Sequence, residues 1–240
     1  MSLKRRIWSC IILLVLLALI CLYGCVKEYG NTKEYGDARL LKAVSLIQQA
    51  DLSGVEAKKI AITFDDGPDE NYTQLLLDGL QKRSVKATFF VMGKKAQEYP
   101  EIVRRMSDEG HLVGNHTYTH MQLARGKEDI FRQELQKTSQ VIEEITGESP
   151  LFVRPPFGTW DRKFENELNM FPVLWTIDPL DWCSDDADCV ARNVIARAKE
   201  NDIILMHDQY KSSVTAAFMI IDELQSQGYE FVTVDEILFD

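Results

Sequence analysis

Residues 58–68 read Lys-Lys-Ile-Ala-Ile-Thr-Phe-Asp-Asp-Gly-Pro, an apolar run that ends on two acids and a turn. The run predicts a buried strand over 58–64, with Asp65 and Asp66 just beyond its C-terminal end. Further strand-like runs lie at 86–92, 111–114, 151–154, 172–177, 202–206 and 230–234. Helical spacing fills most of the intervals, at 71–83, 100–109, 127–146, 187–200 and 213–227. Gly110, Gly147 and Gly228 mark three helix ends, and Pro100 suits a first helical turn. Repeated strand–helix units specify an α/β fold with a parallel sheet, and about seven of them point to a (β/α) barrel. In such a barrel the chemistry gathers at the C-terminal ends of the strands.

The reactive side chains obey that geometry. Asp65-Asp66 follow the first strand, His116 and His120 the third, Arg154 ends the fourth, Asp178 and Asp181 follow the fifth, and His207 follows the sixth. Singly, each has a bland reading. Asp-Asp-Gly-Pro makes surface turns, and His-x-x-x-His arises as solvated imidazoles. Arg154 before Pro155-Pro156 satisfies loop carbonyls, Trp175 and Trp182 read as core, and His207 reads as a satisfied core histidine. The HExxH motif is excluded, because Thr117 stands where the general-base Glu is needed. Together the residues select a chemistry. Three of the chain's four histidines fall at strand C-termini beside carboxylates. Two imidazoles and one carboxylate make a three-ligand metal site with open positions, a catalytic design rather than a closed structural one. Zinc is the expected ion, and the donors also accept cobalt, manganese or nickel.

Five ordered stretches carry a family resemblance: 63–68 (Thr-Phe-Asp-Asp-Gly-Pro), 116–120 (His-Thr-Tyr-Thr-His), 154–157 (Arg-Pro-Pro-Phe), 178–182 (Asp-Pro-Leu-Asp-Trp) and 205–207 (Leu-Met-His). They resemble the motifs of polysaccharide deacetylases, the NodB homology domain or carbohydrate esterase family four, across about 58–238. The resemblance implies a distorted (β/α) barrel of about seven parallel strands, with the catalytic domain at 58–240. It implies that Asp66, His116 and His120 hold the metal and that Asp65 is the general base, paired with Arg154. His207 would be the general acid, tuned by Asp181. The backbone N–H of Phe157 would face the oxyanion, and Trp182 and Leu205 would form the acetyl pocket. Asp178 fits its motif without an assigned role. The third motif usually ends in Tyr where this chain has Phe157, which leaves a backbone donor intact.

The activity implied is metal-dependent removal of N-acetyl groups from N-acetylglucosamine-type units of peptidoglycan, poly-N-acetylglucosamine or chitin fragments. An O-acetyl esterase on xylan is the alternative within the same chemistry, and a non-catalytic wall-binding module is the alternative in another class. The complete set of base, ligands and acid argues against the module, which has no need of both Asp65 and His207.

The chain's 240 residues suit one sizeable domain, and 37 acidic against 27 basic side chains give a net charge of −10. Residues 1–25 carry Lys4, Arg5 and Arg6 and no acid, so the remainder is more acidic still. That balance excludes a reader of nucleic-acid backbones, and no protein partner is expected. Basic residues followed by the apolar run Ile7–Val26 predict export, with residues 1–26 as signal sequence, membrane helix or lipoprotein leader. Leu22-Tyr23-Gly24-Cys25 resembles a bacterial lipobox, which makes Cys25 a candidate for lipidation and a bacterial source the expectation. Residues 27–57 read as a polar tether with a short amphipathic helix at 38–50. The working part then lies outside the cytoplasm, membrane-anchored or secreted. In that oxidising setting Cys183 and Cys189 form a candidate disulfide, with two free thiols as the alternative.

Overall fold

The computed structural model describes residues 57–239. The leader at 1–26, lipidation of Cys25, and all but the last residue of the 27–57 tether lie outside the described residues. Among the described residues no helix is long and apolar enough to cross a membrane.

Among the described residues seven parallel strands form one sheet: β1 (Lys58–Asp65), β2 (Thr88–Val91), β3 (Leu112–Asn115), β4 (Phe152–Val153), β5 (Phe171–Pro172), β6 (Ile203–His207) and β7 (Tyr229–Phe231). Their order is β5-β4-β3-β2-β1-β6, with β7 against the first half of β1. Helices connect them: α1 (Tyr72–Lys82), α2 (Gly93–Glu98), α3 (Pro100–Asp108), α4 (Glu128–Thr146), α5 (Lys163–Leu168), α6 (Ala187–Arg197), α7 (Lys211–Ser226) and α8 (Val234–Leu238). The expected strand–helix alternation is present throughout. Gly147 closes α4 at φ 82°, a left-handed conformation that glycine adopts without a Cβ clash.

Two features depart from the sequence pattern. Helices α2, α5 and α8 were not anticipated, because five or six residues are too few to establish a helical period. The fifth strand, expected over 172–177, pairs regularly only at Phe171–Pro172. Beyond it the chain changes neighbours. Val173 N–H still donates to Val153 O at 2.8 Å, whereas Ile177 N–H donates to Ile203 O at 3.2 Å and Leu205 N–H to Ile177 O at 2.9 Å. Residues 173–177 therefore cross from β4 to β6 and close the sheet into a distorted barrel. The crossing leaves backbone carbonyls without strand partners, and Arg154 takes them up.

Strand alternation sorts the two faces. Ile60, Ile62 and Phe64 pack with α1, α3, α6 and α7 in the large outer core. Ala61 faces the other way and joins Phe90, Phe152, Val173, Ile203 and Val234. Thr63 and Asp65 continue that inward column, since every second residue shares a face. Each fully buried aliphatic or aromatic side chain contributes about 1.5–3 kcal/mol, and nearly all of β1 is buried. The barrel interior is thus apolar at the base of β1 and ionic at its C-terminal end.

Candidate metal and catalytic site

Strand register assembles the site. In the β1–β6 pairing Asp65 lies opposite His207 and Thr63 opposite Leu205. β1 also pairs with β2, which pairs with β3, so the loop after β3 brings His116 and His120 to the same rim. Asp66 Oδ1 lies 3.3 Å from the Nε2 atoms of both His116 and His120. One ligand atom from each of the three residues falls within 4.8 Å of the others.

The chemistry of these atoms fits a divalent cation. His116 Nδ1 lies 2.6 Å from Arg154 O; a carbonyl can only accept, so Nδ1 carries the proton and Nε2 presents its lone pair. Asp66 Oδ1 is buried with no hydrogen-bond partner, a costly state unless a cation occupies the space it faces. Burial works to raise the Asp66 pKa. The neighbouring imidazoles of His116, His120 and His207 overcome it and lower the carboxyl to about 2. Burial also pushes His120 down, toward the neutral form that ligates metals.

Backbone conformation concentrates strain here. Asp66 (φ 70°), Thr117 (φ 63°), His120 (φ 60°) and Phe157 (φ 60°) all sit in the left-handed region without being glycine. Each such residue costs of order 1–3 kcal/mol and persists where its surroundings over-determine it. The surroundings are visible. Asn115 donates from Nδ2 to Leu135 O and Ser139 Oγ and accepts the Thr117 N–H, and Glu134 accepts from both the Thr119 N–H and its hydroxyl. Asn115 is fully buried, so its Asn-His-Thr sequon cannot carry a glycan. Gly67 permits a close approach on the other side, since a Cβ there would lie 2.3 Å from Asp208 Oδ2.

Arg154 is wholly buried and uses its donors in four directions. Nη1–H donates to Asp65 Oδ1 at 2.8 Å and to Thr63 Oγ1 at 2.6 Å; Nε–H donates to Val173 O and Nη2–H to Leu174 O, each at 3.1 Å. Its guanidinium lies 4.3 Å from the Phe90 ring centroid. Burial lowers the Arg154 pKa from its ordinary value, and the charge and hydrogen bond of Asp65 oppose that shift. The carbonyl-satisfying reading and the partner-of-Asp65 reading both describe this side chain.

Asp181, also buried, clamps His207 twice. Oδ2 accepts the His207 backbone N–H and Oδ1 faces ring Nδ1, each at 2.9 Å. Burial disfavours the imidazolium. The Asp181 hydrogen bond and charge, with Asp65 and Asp66 behind them, outweigh it and raise His207 to about 9.

The remaining expectations divide. Phe157 is exposed, with its ring edge-on to His120 at 5.1 Å. Leu205 is buried in β6, and Trp182 is more than half exposed on the turn Asp181–Cys183. Asp178 accepts the Leu180 N–H and shapes that turn. Of the two readings left open for Cys183 and Cys189, the structure has free, exposed thiols, with Cys183 Sγ directed at Leu180 O at 3.1 Å. The fourth histidine, His111, is the core residue its type often is. Its Nδ1 accepts the Ala87 N–H, and burial, with the charges of Lys86 and Arg105, holds it down at about 4.

Two residues that build the site carry no role in the sequence reading. Thr63 hydrogen-bonds across to Ile204 O at 2.7 Å while accepting from Arg154; its signal was a hydroxyl inside an apolar strand. Gln209 lies against Asp66, and nothing in the sequence flags it.

Comparison with known proteins agrees with this geometry. The polysaccharide deacetylase family profile matches residues 53–173. A peptidoglycan-N-acetylglucosamine deacetylase of Bacillus cereus is 39% identical over 183 residues, covering 73% of this chain and 66% of the relative. The chain spans between 38% and 66% of the length of the first curated relatives it matches. Among solved structures, the peptidoglycan deacetylase PdaC of Bacillus subtilis superposes with a TM-score of 0.73 at 39% identity, over 76% of this chain and 91% of that one. A family 4 acetyl xylan esterase from Clostridium thermocellum, in complex with a cobalt ion, gives a TM-score of 0.70 at 37% identity, over 75% of this chain and 90% of that one. With the barrel, the ordered motifs and these matches in accord, the chain belongs to the polysaccharide deacetylase family.

Proposed function

We propose that this chain hydrolyses N-acetyl groups on the sugars of peptidoglycan, outside the cytoplasm, with residues 1–26 directing export and holding it at the membrane. One observation carries the chemistry. The β1–β6 register sets Asp65 opposite His207 at the rim where Asp66, His116 and His120 converge. The names of its relatives favour peptidoglycan as the polymer.

In this reading Asp66, His116 and His120 hold a divalent cation, with Zn²⁺ the first choice. Such an ion, when bound, polarises the acetamide carbonyl and makes water a stronger acid. Asp65 accepts the proton of the attacking water. Arg154 holds Asp65 through a single short hydrogen bond to Oδ1, which leaves Oδ2 for that proton. The backbone N–H of Phe157 donates toward the oxygen where negative charge grows. His207, protonated at neutral pH, passes its proton to the departing amine. Leu205 and Trp182 supply apolar surface for the acetyl methyl.

The test is acetate release from purified peptidoglycan, chitin oligomers and acetylated xylan, before and after chelation. Acetate from peptidoglycan that stops with chelator and returns with Zn²⁺ or Co²⁺ is the expected result. Release from xylan alone would reassign the substrate to an ester. No release from any of them, with metal bound, would overturn the enzymatic reading.

The pH dependence has a definite sign. His207 lies above its ordinary value of about 6.5, at about 9. Its ionic contribution to stability is therefore complete below about 6.5 and is lost as pH rises through about 9. Activity should fall over the same alkaline range as the acid is deprotonated. Asp181→Asn keeps a hydrogen-bond acceptor for Nδ1 but removes the charge. It should move the alkaline limb of the pH–rate profile to lower pH, and an unmoved limb would assign that limb to another group.

A further inference from the structure

We infer that Gln209 and Lys95 form a relay that orients the metal-facing carboxylate of Asp66. The inference rests on the proposed role of Asp66 as a metal ligand.

The two oxygens of Asp66 have different surroundings. Oδ1 faces His116 and His120. Oδ2 points away and accepts a hydrogen bond from Gln209 Nε2 at 3.3 Å. Gln209 Oε1 in turn accepts from Lys95 Nζ at 3.0 Å. That second contact fixes the amide. An ammonium only donates, so the atom facing Lys95 is the amide oxygen, and the atom facing Asp66 must be the NH₂ group. The second amide hydrogen has its own acceptor, Tyr210 Oη at 3.5 Å. Asp66 is thereby presented with Oδ1 free and Oδ2 engaged, which favours one-oxygen coordination.

The parts come from separate elements. Gln209 follows β6, two residues beyond His207, and Lys95 belongs to α2 after β2. Both are half-buried, and neither lies within the five motifs. The Asp66 backbone is held at φ 70°, and the Gln209 contact holds the carboxylate oxygen that does not face the histidines. Partners that orient metal ligands typically account for 10- to 100-fold in affinity or activity when removed.

The experiment measures Zn²⁺ and Co²⁺ affinity of the full chain by competition with a chelating dye, for Gln209→Leu, Lys95→Met, the double variant and Asp66→Ala. Gln209→Leu should raise the dissociation constant about 10- to 100-fold, with the thermal midpoint of the metal-free protein unchanged. Lys95→Met should raise it less, Lys95→Arg should restore it, and the double variant should match Gln209→Leu alone. Affinity within twofold of wild type in Gln209→Leu would overturn the relay. So would fully additive effects, which would make Lys95 independent of Gln209. Asp66→Ala separates the two levels: metal binding that survives it refutes the ligand assignment itself, whereas loss there beside an intact Gln209→Leu refutes only the relay.

Discussion

Replacing Asp65 by Asn is expected to cut acetate release roughly 10²–10⁴-fold, the usual share of a positioned general base, while metal affinity stays close to wild type. Asn is nearly isosteric and keeps an oxygen for the Arg154 Nη1–H bond now made to Asp65 Oδ1. The three metal donors, Asp66, His116 and His120, are untouched. What disappears is the carboxylate oxygen that takes a proton. The measurement is kcat for acetate release beside a metal titration of the same sample. Activity within tenfold of wild type, with metal bound, would remove Asp65 from the role of base. Loss of metal together with activity would instead make it a support of the ligand set.

The second large effect concerns the fold. Arg154→Met should destabilise the protein by about 3–5 kcal/mol, the cost of breaking a buried ion pair from one side. Asp65 is almost completely buried and would be left without its guanidinium partner. The carbonyls of Val173 and Leu174 would lose their donors at the point where the chain crosses from β4 to β6. Arg154→Lys should recover only part of the loss, because one ammonium cannot match the spread of Nε, Nη1 and Nη2 over four acceptors. Urea denaturation of the metal-free forms reads the difference. A loss under 1 kcal/mol for Arg154→Met would show that water or rearranged backbone replaces the guanidinium.

Much of the site was legible because barrel geometry converts sequence position into spatial position. A reactive residue just after a strand must lie at one rim, so the sequence alone gathers Asp65, His116, Arg154, Asp181 and His207 there. What was not legible depends on register and on chain reversal. The pairing of Asp65 with His207 needs the β1–β6 offset, which apolar runs do not encode. The crossing at 173–177 reads as continuous strand because Val173 and Ile177 are both apolar and buried, though they pair with different neighbours. Asn115, Glu134, Gln209 and Lys95 are common polar residues whose value comes only from where their partners fall. The state of Cys183 and Cys189 stayed open in the sequence for a related reason. Short sequence separation permits a bond, but the turn at Asp181–Cys183 aims Cys183 at Leu180 O instead.

The strand order sets a condition on how the molecule is made. β1 leads the described chain, yet its partners β6 and β7 come near the C-terminus, and the Thr63–Ile204 hydrogen bond alone spans 141 residues. A chain emerging from a ribosome or threading a translocation channel presents β1 long before residues 203–231 arrive. Until then one edge of a largely buried strand lies open, and contacts so distant in sequence are slow to form. The catalytic rim inherits the same timing, because Asp65 meets His207 only when β6 docks. The proposed activity therefore cannot begin until residues 203–207 have docked beside β1.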